Sequence, residues 1–340
     1  MYETTDASAL VGAAPLGRPR ADLSDSAFCR DLLAGLSRTP RSIAPKYFYD
    51  AQGSALFDRI CELPEYYPTR TERRILERYG REMAEVIGPQ ADIIEFGAGS
   101  LEKIRFLLQS FEARTLPRRY FPIDISAAHL EEAARRMHVE CPWLEVRPVA
   151  ADYMNEAQLK GLDAATGRRV GFFPGSTIGN FDEYEAMTFL RLAARLLEGG
   201  GLLVGVDLVK DPQILHRAYN DTQGVTAAFN LNLLRRANTE LSADFDLGAF
   251  AHYAFYDPRN RRIEMHLVSQ CAQTVRVAGE SFDFEEGESL HTESSHKFTI
   301  EGFRKLAVSA GFRPGPVWTD DARLFSVHWL GSPERGAGAS

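Results

Sequence analysis

Between residues 92 and 207, short apolar segments alternate with amphipathic helical segments, and this alternation constrains the fold more than any other feature of the chain. The predicted strands cover residues 92–97, 119–124, 144–149, 169–174 and 201–206. The predicted helices between them cover residues 102–111, 127–138 and 183–197. This rhythm predicts an α/β fold, in which a parallel sheet carries helices on both faces. Ligands of such sheets bind outside the carboxyl ends of the strands.

The last part of the chain adds a pair of adjacent strands. A predicted helix over residues 300–311 precedes strands over residues 313–319 and 324–330. A closing strand pair after an alternating sheet is the arrangement of the Rossmann-like class I methyltransferases. Residues 209–296 form an insertion, in which Pro212 suits a first helical turn and three later segments alternate apolar and polar residues. We predict a helix pair and an antiparallel ribbon there.

These patterns predict five parts of the chain. Residues 1–20 form a loose tail, and residues 69–208 together with 297–340 form the methyltransferase domain. Residues 21–68, which are unusually aromatic, combine with the insertion over residues 209–296 into an additional substrate-binding domain.

A glycine loop and two strand-end carboxylates predict the cofactor site. Gly97 and Gly99 follow the first strand, where glycine lets backbone amides approach a ligand. A dinucleotide fingerprint needs a third glycine where this chain has Glu102, so NAD and FAD are disfavoured. Instead, S-adenosylmethionine (SAM) is favoured, with Asp124 on the ribose and Asp152 and Tyr153 on the adenine. Taken singly, each carboxylate could also be a strand-end cap.

The loop after the fourth strand predicts an acceptor site. Residues 175–180 read Gly-Ser-Thr-Ile-Gly-Asn, whose backbone groups and amide side chain suit an amino-acid head group. A tight turn with Asn180 as a helix cap is the alternative. Glu293 and Ser295 stand two residues apart on an alternating strand and so face the same way, which suits the two nitrogens of an imidazole or, alternatively, an exposed polar face.

Several long motifs resemble the histidine Nα-methyltransferases of ergothioneine biosynthesis. The resemblance extends from about residue 22 to the end of the chain and rests on residues 46–50, 63–72, 175–180, 207–211, 224–230 and 240–246. It implies Nα-trimethylation of L-histidine to its betaine, hercynine, with SAM as the methyl donor. It also implies that the N-terminal segment and the insertion form one substrate domain.

The resemblance assigns roles to individual residues. Tyr49 and Asn180 would be catalytic, lying at the reacting amine. The substrate would contact Tyr66, Gly175, Thr177, Asn180, Tyr219, Met265, Glu293 and Ser295. The cofactor would contact Gly97, Gly99, Lys103, Asp124, Asp152 and Tyr153. From the pattern alone, core packing is the likelier role of Met265, and the three tyrosines could equally be core aromatics. Lys103 could be a solvated helix residue.

Composition excludes several other classes of function. The chain has 47 acidic and 39 basic residues, and no basic stripe that would bind nucleic acid. Four scattered cysteines and eight histidines lack the spacing of a disulfide framework or a metal site, so we expect reduced, mostly buried thiols and no metal. No signal peptide or membrane span is evident, which predicts a cytoplasmic monomer.

Three alternative functions stay open at this point. The first is a SAM-dependent methyltransferase acting on another small amine or amino acid. The second is a non-catalytic SAM-binding protein, which would not need the acceptor residues. The third is a nicotinamide dehydrogenase, weakened by Glu102.

Overall fold

The computed structural model describes residues 26–333, without the side chains of residues 128 and 129, so the predicted tail over residues 1–20 lies outside it. Its α-helices are α1 Ala27–Leu36, α2 Ala51–Glu62, α3 Tyr67–Ile87, α4 Glu102–Leu108, α5 Ala127–Glu140, α6 Glu183–Leu196, α7 Pro212–Tyr219, α8 Val225–Leu241 and α9 Ile300–Ser309. Its strands are β1 Arg41–Ser42, β2 Asp92–Phe96, β3 Arg119–Asp124, β4 Glu145–Val146, β5 Val149–Ala150, β6 Arg169–Phe173, β7 Gly201–Asp207, β8 Phe250–Asp257, β9 Arg262–Ser269, β10 Gln273–Val277, β11 Glu280–Phe284, β12 Ser289–His296, β13 Arg313–Thr319 and β14 Phe325–Gly331.

The larger sheet has the strand order β13-β14-β7-β6-β2-β3-β4, with β5 also pairing with β3. The neighbouring strands β7, β6, β2, β3 and β4 run parallel to one another. By contrast, β14 is antiparallel to both β7 and β13. The antiparallel pair β13 and β14 closes the sheet as predicted. The class I methyltransferase fold is therefore confirmed.

The parallel strands carry apolar residues on both faces, and the acidic residues Asp92 and Glu95 of β2 are buried against Arg119 and Tyr120. Every residue of β2 is buried, with Ile94 and Phe96 in the hydrophobic core on one face and Ile93 in the core on the other. Burial on both faces is what a continuous apolar run predicts for a parallel sheet. The predicted strands at β2, β3, β6, β7, β13 and β14 end within one residue of the observed ones.

The third predicted strand differs from the structure. Residues 144–149 form two short strands, β4 and β5, that pair with different parts of β3. Pro148 stands between them, and proline has no N–H to donate to a neighbouring strand. Helix α2 was not predicted either. It begins at Ala51 and is capped by the preceding Asp50, whose carboxylate accepts the Gly53 N–H at 2.6 Å.

A second sheet, with the order β1-β12-β9-β8, is built from the N-terminal segment and the insertion. β1 pairs in parallel with β12, and the other neighbours are antiparallel. The predicted helix pair is present as α7 and α8, and β10 and β11 form a separate hairpin. One hydrophobic core joins residues 28–67 to residues 215–290, so the two distant segments pack together.

Two further findings bear on the expectations from composition. No helix within residues 26–333 is long and apolar enough to cross a membrane. All four cysteines are unpaired, but only Cys29 is buried and Cys271 is exposed, so the expectation of mostly buried thiols is wrong.

Candidate active site

Four loops meet at the carboxyl edge of the larger sheet. Gly97 and Gly99 follow β2, Asp124 ends β3, Ser176 follows β6 and Asp207 ends β7. Because parallel strands carry their carboxyl ends on the same edge, residues that are distant in sequence come together here. This edge holds both halves of the predicted site.

The glycine loop and the end of β3 form one unit. The Gly99 N–H donates to Oδ2 of Asp124 at 3.0 Å, and the Ser126 N–H donates to Oδ1 at 3.0 Å. Gly97 and Gly99 have φ values of 70° and 52°, which favour glycine. A Cβ on Gly99 would meet no atom within 4 Å, so the loop leaves open space beside the carboxylate. This arrangement suits the SAM role predicted for all three residues.

Asp152 and Tyr153 lie after β5, on the same side of the sheet. Oδ1 of Asp152 accepts the Met154 N–H at 2.9 Å. The Tyr153 ring packs edge-on against Phe96, with centroids 6.2 Å apart, and a Cβ on Gly97 would lie 3.4 Å from that ring. The structure therefore places Tyr153 beside the glycine loop.

Lys103 points toward the acceptor loop rather than into solvent. Its Nζ lies 3.2 Å from Oε2 of Glu72, and its side chain is 25% exposed. Burial alone would lower the pKa of Lys103, but Glu72, together with Cys61 and Glu95, more than offsets this effect, so the pKa is raised and the ammonium stays charged. Both oxygens of Glu72 also accept the Gly175 N–H, at 2.8 and 2.9 Å. The solvated-helix interpretation of Lys103 is therefore wrong.

Next to the link between Lys103, Glu72 and Gly175 is a cavity at the junction of the two sheets. Eight of the nine predicted acceptor residues line it: Tyr49, Tyr66, Gly175, Thr177, Asn180, Tyr219, Glu293 and Ser295. The structure thus brings together residues from the segments before α2 and α3, from the loop after β6, and from α7 and β12.

Met265 is the ninth residue, and the structure does not bring it to the cavity wall. It pairs with Glu293 in the register of β9 and β12, but its side chain is 1% exposed within the hydrophobic core. Directly paired residues of antiparallel strands share a face of the sheet, so Met265 packs in the core on the same face that carries Glu293. The core-packing interpretation, which the sequence pattern favoured, describes its position.

The acceptor loop is held tightly against β12. Ser176 and Gly175 have positive φ values of 56° and 79°, and the Thr177 hydroxyl donates to the Pro174 carbonyl at 2.9 Å. A Cβ on Gly179 would lie 2.8 Å from the His296 carbonyl oxygen, so this position needs glycine. The following helix α6 is capped by Asp182, which excludes the alternative of Asn180 as its cap.

Asn180 instead points at Glu293. Its Nδ2 donates a long hydrogen bond of 3.4 Å to Oε2 of that carboxyl group. Glu293 is 7% exposed, and burial raises its pKa to about 7, against the lowering effect of Lys297. The carboxyl group can therefore change its protonation state near neutral pH, and it lies where a ligand's N–H could donate to it.

Aromatic rings form a further part of the cavity lining. Tyr49 and Tyr66 flank Phe57 in edge-on contacts, with centroids 5.6 and 6.3 Å from it, and Tyr66 meets Tyr219 at 6.4 Å. Burial raises the pKa of Tyr49 and of Tyr66 well above the usual value. Both phenols therefore stay neutral and can act as hydrogen-bond donors or acceptors.

The sequence did not predict a buried group of charged side chains next to the cavity. We call this group the Asp207 cluster; its members are Asp207, Lys210, Lys297 and Tyr67. Lys297 and Lys210 lie 2.9 and 2.5 Å from the two carboxylate oxygens of Asp207. The Tyr67 hydroxyl donates to Oδ2 at 2.6 Å. Asp207 and Lys297 also line the cavity.

A signal for both missed residues was present in the sequence. Asp207 ends a parallel strand, as Asp124 does, and Lys297 continues the two-residue spacing of Glu293 and Ser295. Phe57, Pro68 and Ser176 complete the lining and carried no such signal. Among the described residues, no three His, Cys, Asp or Glu side chains converge as metal ligands would.

Comparison with known proteins agrees with this geometry. Residues 28–332 match the family described as histidine-specific methyltransferase, SAM-dependent. The chain is similar to a histidine N-alpha-methyltransferase of Mycolicibacterium smegmatis, at 45% identity over 90% of this chain and 95% of that protein. It is similar to ergothioneine biosynthesis protein 1 of Neurospora crassa, at 30% identity over 82% of this chain and 32% of that longer protein.

A more distant relative, 4-dimethylallyltryptophan N-methyltransferase of Claviceps purpurea, is 25% identical over 94% of this chain and 98% of that protein. The family match covers nearly all the residues that the structure describes. The protein is a SAM-dependent methyltransferase and belongs to the histidine-specific methyltransferase family.

Proposed function

We propose that this enzyme methylates the α-amino nitrogen of free L-histidine three times, giving hercynine, the first step of ergothioneine biosynthesis. The main support is the cavity, in which the Glu293 carboxyl and the Ser295 hydroxyl line one wall beside the acceptor loop. An imidazole carries two ring nitrogens that need such partners when buried. The names of the relatives from Mycolicibacterium smegmatis and Neurospora crassa support the same substrate and pathway.

The cofactor site suits SAM by its donor set. Carboxylates at two strand ends can accept from hydroxyl and amino groups, and the glycine loop leaves room that a Cβ would reduce. We assign the cofactor contacts to Gly97, Gly99, Lys103, Asp124, Asp152 and Tyr153. When bound, SAM supplies a methyl group on a positively charged sulfur.

The chain's contribution to the chemistry is chiefly positional. An amine must present its lone pair in line with the bond that breaks, and holding it there removes much of the entropic barrier. We assign this orientation to the Asn180 amide and the Tyr49 phenol, both on the cavity wall. The neutral phenol of Tyr49 cannot serve as an anionic base at neutral pH, so the proton of the ammonium leaves to solvent or to another acceptor.

Successive methylations change the needs of the nitrogen. Each step removes an N–H and adds bulk, so the surrounding groups must tolerate fewer donors. Amide and phenol groups can both donate and accept, which suits this change. The aromatic faces of Tyr49 and Tyr66 also suit a growing cationic ammonium.

We further propose that the substrate domain consists of residues 21–68 and 209–296, and that the enzyme acts as a monomer on a free amino acid. The shared hydrophobic core of residues 28–67 and 215–290 supports the domain division. Light scattering during size-exclusion chromatography tests the monomer, which a mass near twice the chain's 37.9 kDa would contradict.

Mass spectrometry of a competition reaction tests the activity. Purified enzyme is incubated with SAM carrying a deuterated methyl group and an equimolar mixture of the amino acids, tryptophan included. We expect labelled mono-, di- and trimethylated histidine and no other labelled amino acid. Labelling of a different amino acid would keep the fold and the cofactor site but contradict the imidazole-reading role of Glu293 and Ser295. SAM binding without any transfer would favour a non-catalytic binding protein.

A further inference from the structure

The buried ammonium of Lys297 makes three polar contacts that match its three N–H donors. It lies 2.9 Å from Oδ2 of Asp207, donates to the Ser295 hydroxyl at 2.8 Å, and donates to the Tyr219 hydroxyl at 3.3 Å. Its side chain is 1% exposed. Burial alone would lower the pKa of Lys297, but Asp207 raises it overall, so the ammonium stays charged.

These contacts fix which hydrogen-bonding groups face the cavity. The Tyr219 hydroxyl donates to the Ser295 oxygen at 2.8 Å, and Lys297 donates to the same oxygen. A serine hydroxyl has two lone pairs and one proton, so its accepting capacity is used and its proton is free. The ammonium also repels that proton toward the cavity. Ser295 is thereby a hydrogen-bond donor to a ligand.

The neighbouring group on the strand has the opposite character. The Glu293 carboxylate, when ionised, only accepts hydrogen bonds. One donor and one acceptor on the same strand face match a neutral imidazole, which has one N–H and one unprotonated nitrogen. An imidazolium has two N–H donors, so one of them would face the Ser295 proton.

We propose that Lys297 is a positioning residue that holds Ser295 as a donor and thereby makes the site select the neutral imidazole of the substrate. This inference rests on the proposed histidine methylation. It goes beyond it by naming the protonation state that is bound and the residue that enforces it. Lys297 acts through Ser295 and Tyr219, not on the reacting amine.

Other titratable groups surround this contact. On the cavity side they are the phenols of Tyr49, Tyr66 and Tyr219, and below it Asp207 and Lys210. On the outer side of β12 lies His296, whose pKa is lowered by burial and also by Arg262 and Lys297. Among these surrounding groups, His296 and Lys210 can titrate near neutral pH, and burial lowers the pKa of Lys210 to about 8. Glu293 itself also titrates there.

The first test uses the unmodified enzyme and a probe without a titrating amine. The betaine of histidine carries a permanent charge on its α-nitrogen, so only its imidazole changes protonation. Its dissociation constant is measured by calorimetry between pH 5.5 and 9, with S-adenosylhomocysteine saturating. We expect a constant affinity above about pH 7.5 and a loss of about tenfold or more per pH unit below about pH 6.

Recognition of the imidazolium would give a different profile. Its affinity would peak between about pH 6 and 7 and fall about tenfold per pH unit above that range, because the ring then loses the required proton. Such a peak would overturn the inference. Failure of the enzyme to methylate histidine would overturn the proposed function, and the inference with it, whereas normal methylation with the peaked profile would overturn the inference alone.

The second test compares two buried lysines of the Asp207 cluster. Lys297→Met removes the ammonium that contacts Ser295, whereas Lys210→Met removes the one on the other oxygen of Asp207, which donates to Tyr67 instead. We expect Lys297→Met to raise KM for histidine about tenfold, with kcat changed less than about threefold. The Lys210 variant keeps the shape of the pH profile. Equal effects of both variants on KM and on the profile would show a merely structural role.

A double-mutant cycle separates the effect of Lys297 on Ser295 from the general effect of removing a buried charge. Because Lys297 acts through Ser295, Lys297→Met should add little to KM in a Ser295→Ala background. Full additivity of the two effects would contradict the proposal. If Lys297→Met does not fold, as shown by loss of SAM binding and of a thermal transition, the pH profile of the unmodified enzyme decides the matter by itself.

Discussion

Glu72 links the predicted cofactor and acceptor sites, and its replacement by glutamine tests that link. Its carboxylate accepts the Gly175 N–H with both oxygens, at 2.8 and 2.9 Å, and pairs with Lys103 at 3.2 Å. The residue is 1% exposed, so water cannot take the place of these partners. Glu72→Gln keeps the length of the side chain but removes its charge and turns one acceptor oxygen into a donor.

The expected loss follows from these contacts. A hydrogen bond to a charged group contributes about 1.5–3 kcal/mol to stability. Lys103 is 25% exposed and turns partly to water when its anion is removed, which keeps the loss near the middle of that range. We expect the free energy of unfolding to fall by about 2 kcal/mol. For a chain of this size that corresponds to a decrease in Tm of about 2–4 °C.

The functional loss should affect both ligands. Because the Gly175 loop and Lys103 lose the same anchor, KM for histidine and Kd for SAM should each rise about five- to thirtyfold. Glu77→Gln, on the exposed face of the same helix α3, removes a surface pair with Arg73 and should change either value by less than about twofold. Calorimetry gives Kd and initial rates give KM. Unchanged binding of both ligands in Glu72→Gln would refute the linking role.

Three further predictions concern the acceptor side. Glu293→Ala should raise KM for histidine about 10- to 100-fold without changing Kd for SAM, since it removes a charged hydrogen-bond acceptor from the cavity; equal weakening of both in calorimetry would contradict this. Gly179→Ala should lower stability by about 1–3 kcal/mol, because its Cβ would press on the His296 carbonyl oxygen; an unchanged Tm in scanning calorimetry would disprove it. Burial raises the pKa of Glu293 to about 7, so the folded protein loses stability as pH rises through that value and the carboxyl group ionises. Glu293→Gln should therefore raise Tm at pH 8 and leave it nearly unchanged at pH 5. A larger increase in Tm at pH 5 than at pH 8 in a thermal shift assay would count against the burial of this carboxyl group.

The larger sheet could be predicted from the sequence because burial on both faces leaves a simple signature. A run such as residues 92–96 has apolar residues on both faces, and its two acidic residues are buried with partners of their own; it ends where a glycine or a carboxylate reaches the sheet edge. The same signature predicted that Asp124 and the glycine loop lie together, and the Gly99–Asp124 hydrogen bond confirms their contact. The break at Pro148 was less predictable, since a proline is tolerated in edge strands and between strands alike.

The acceptor cavity could be predicted only in part. The two-residue spacing places Glu293 and Ser295 on one face, but whether that face is exposed or buried depends on the acceptor loop packed against it. The register pairs Met265 directly with Glu293 on the same sheet face, but a shared face does not decide which side chain lines a cavity and which packs in the core. Glu72 carries no local signal at all, because its partners Lys103 and Gly175 are 31 and 103 residues away along the chain.

The Asp207 cluster shows why such a site combines predictable and unpredictable parts. Asp207 is 1% exposed. Taking its charge and those of two lysines out of water costs several kcal/mol per ion, and the attraction between the charges at good geometry does no more than offset this cost. Apolar residues of similar volume would therefore hold the two sheets together equally well. They could not present an oriented hydroxyl proton to a ligand, which Lys297 does through Ser295. The cluster lies where β7 ends and where residue 297 follows β12. The ion pair between Lys297 and Asp207, which we propose orients Ser295 toward the substrate's ring, therefore also connects the edge of the larger sheet with the sheet that carries Glu293 and Ser295.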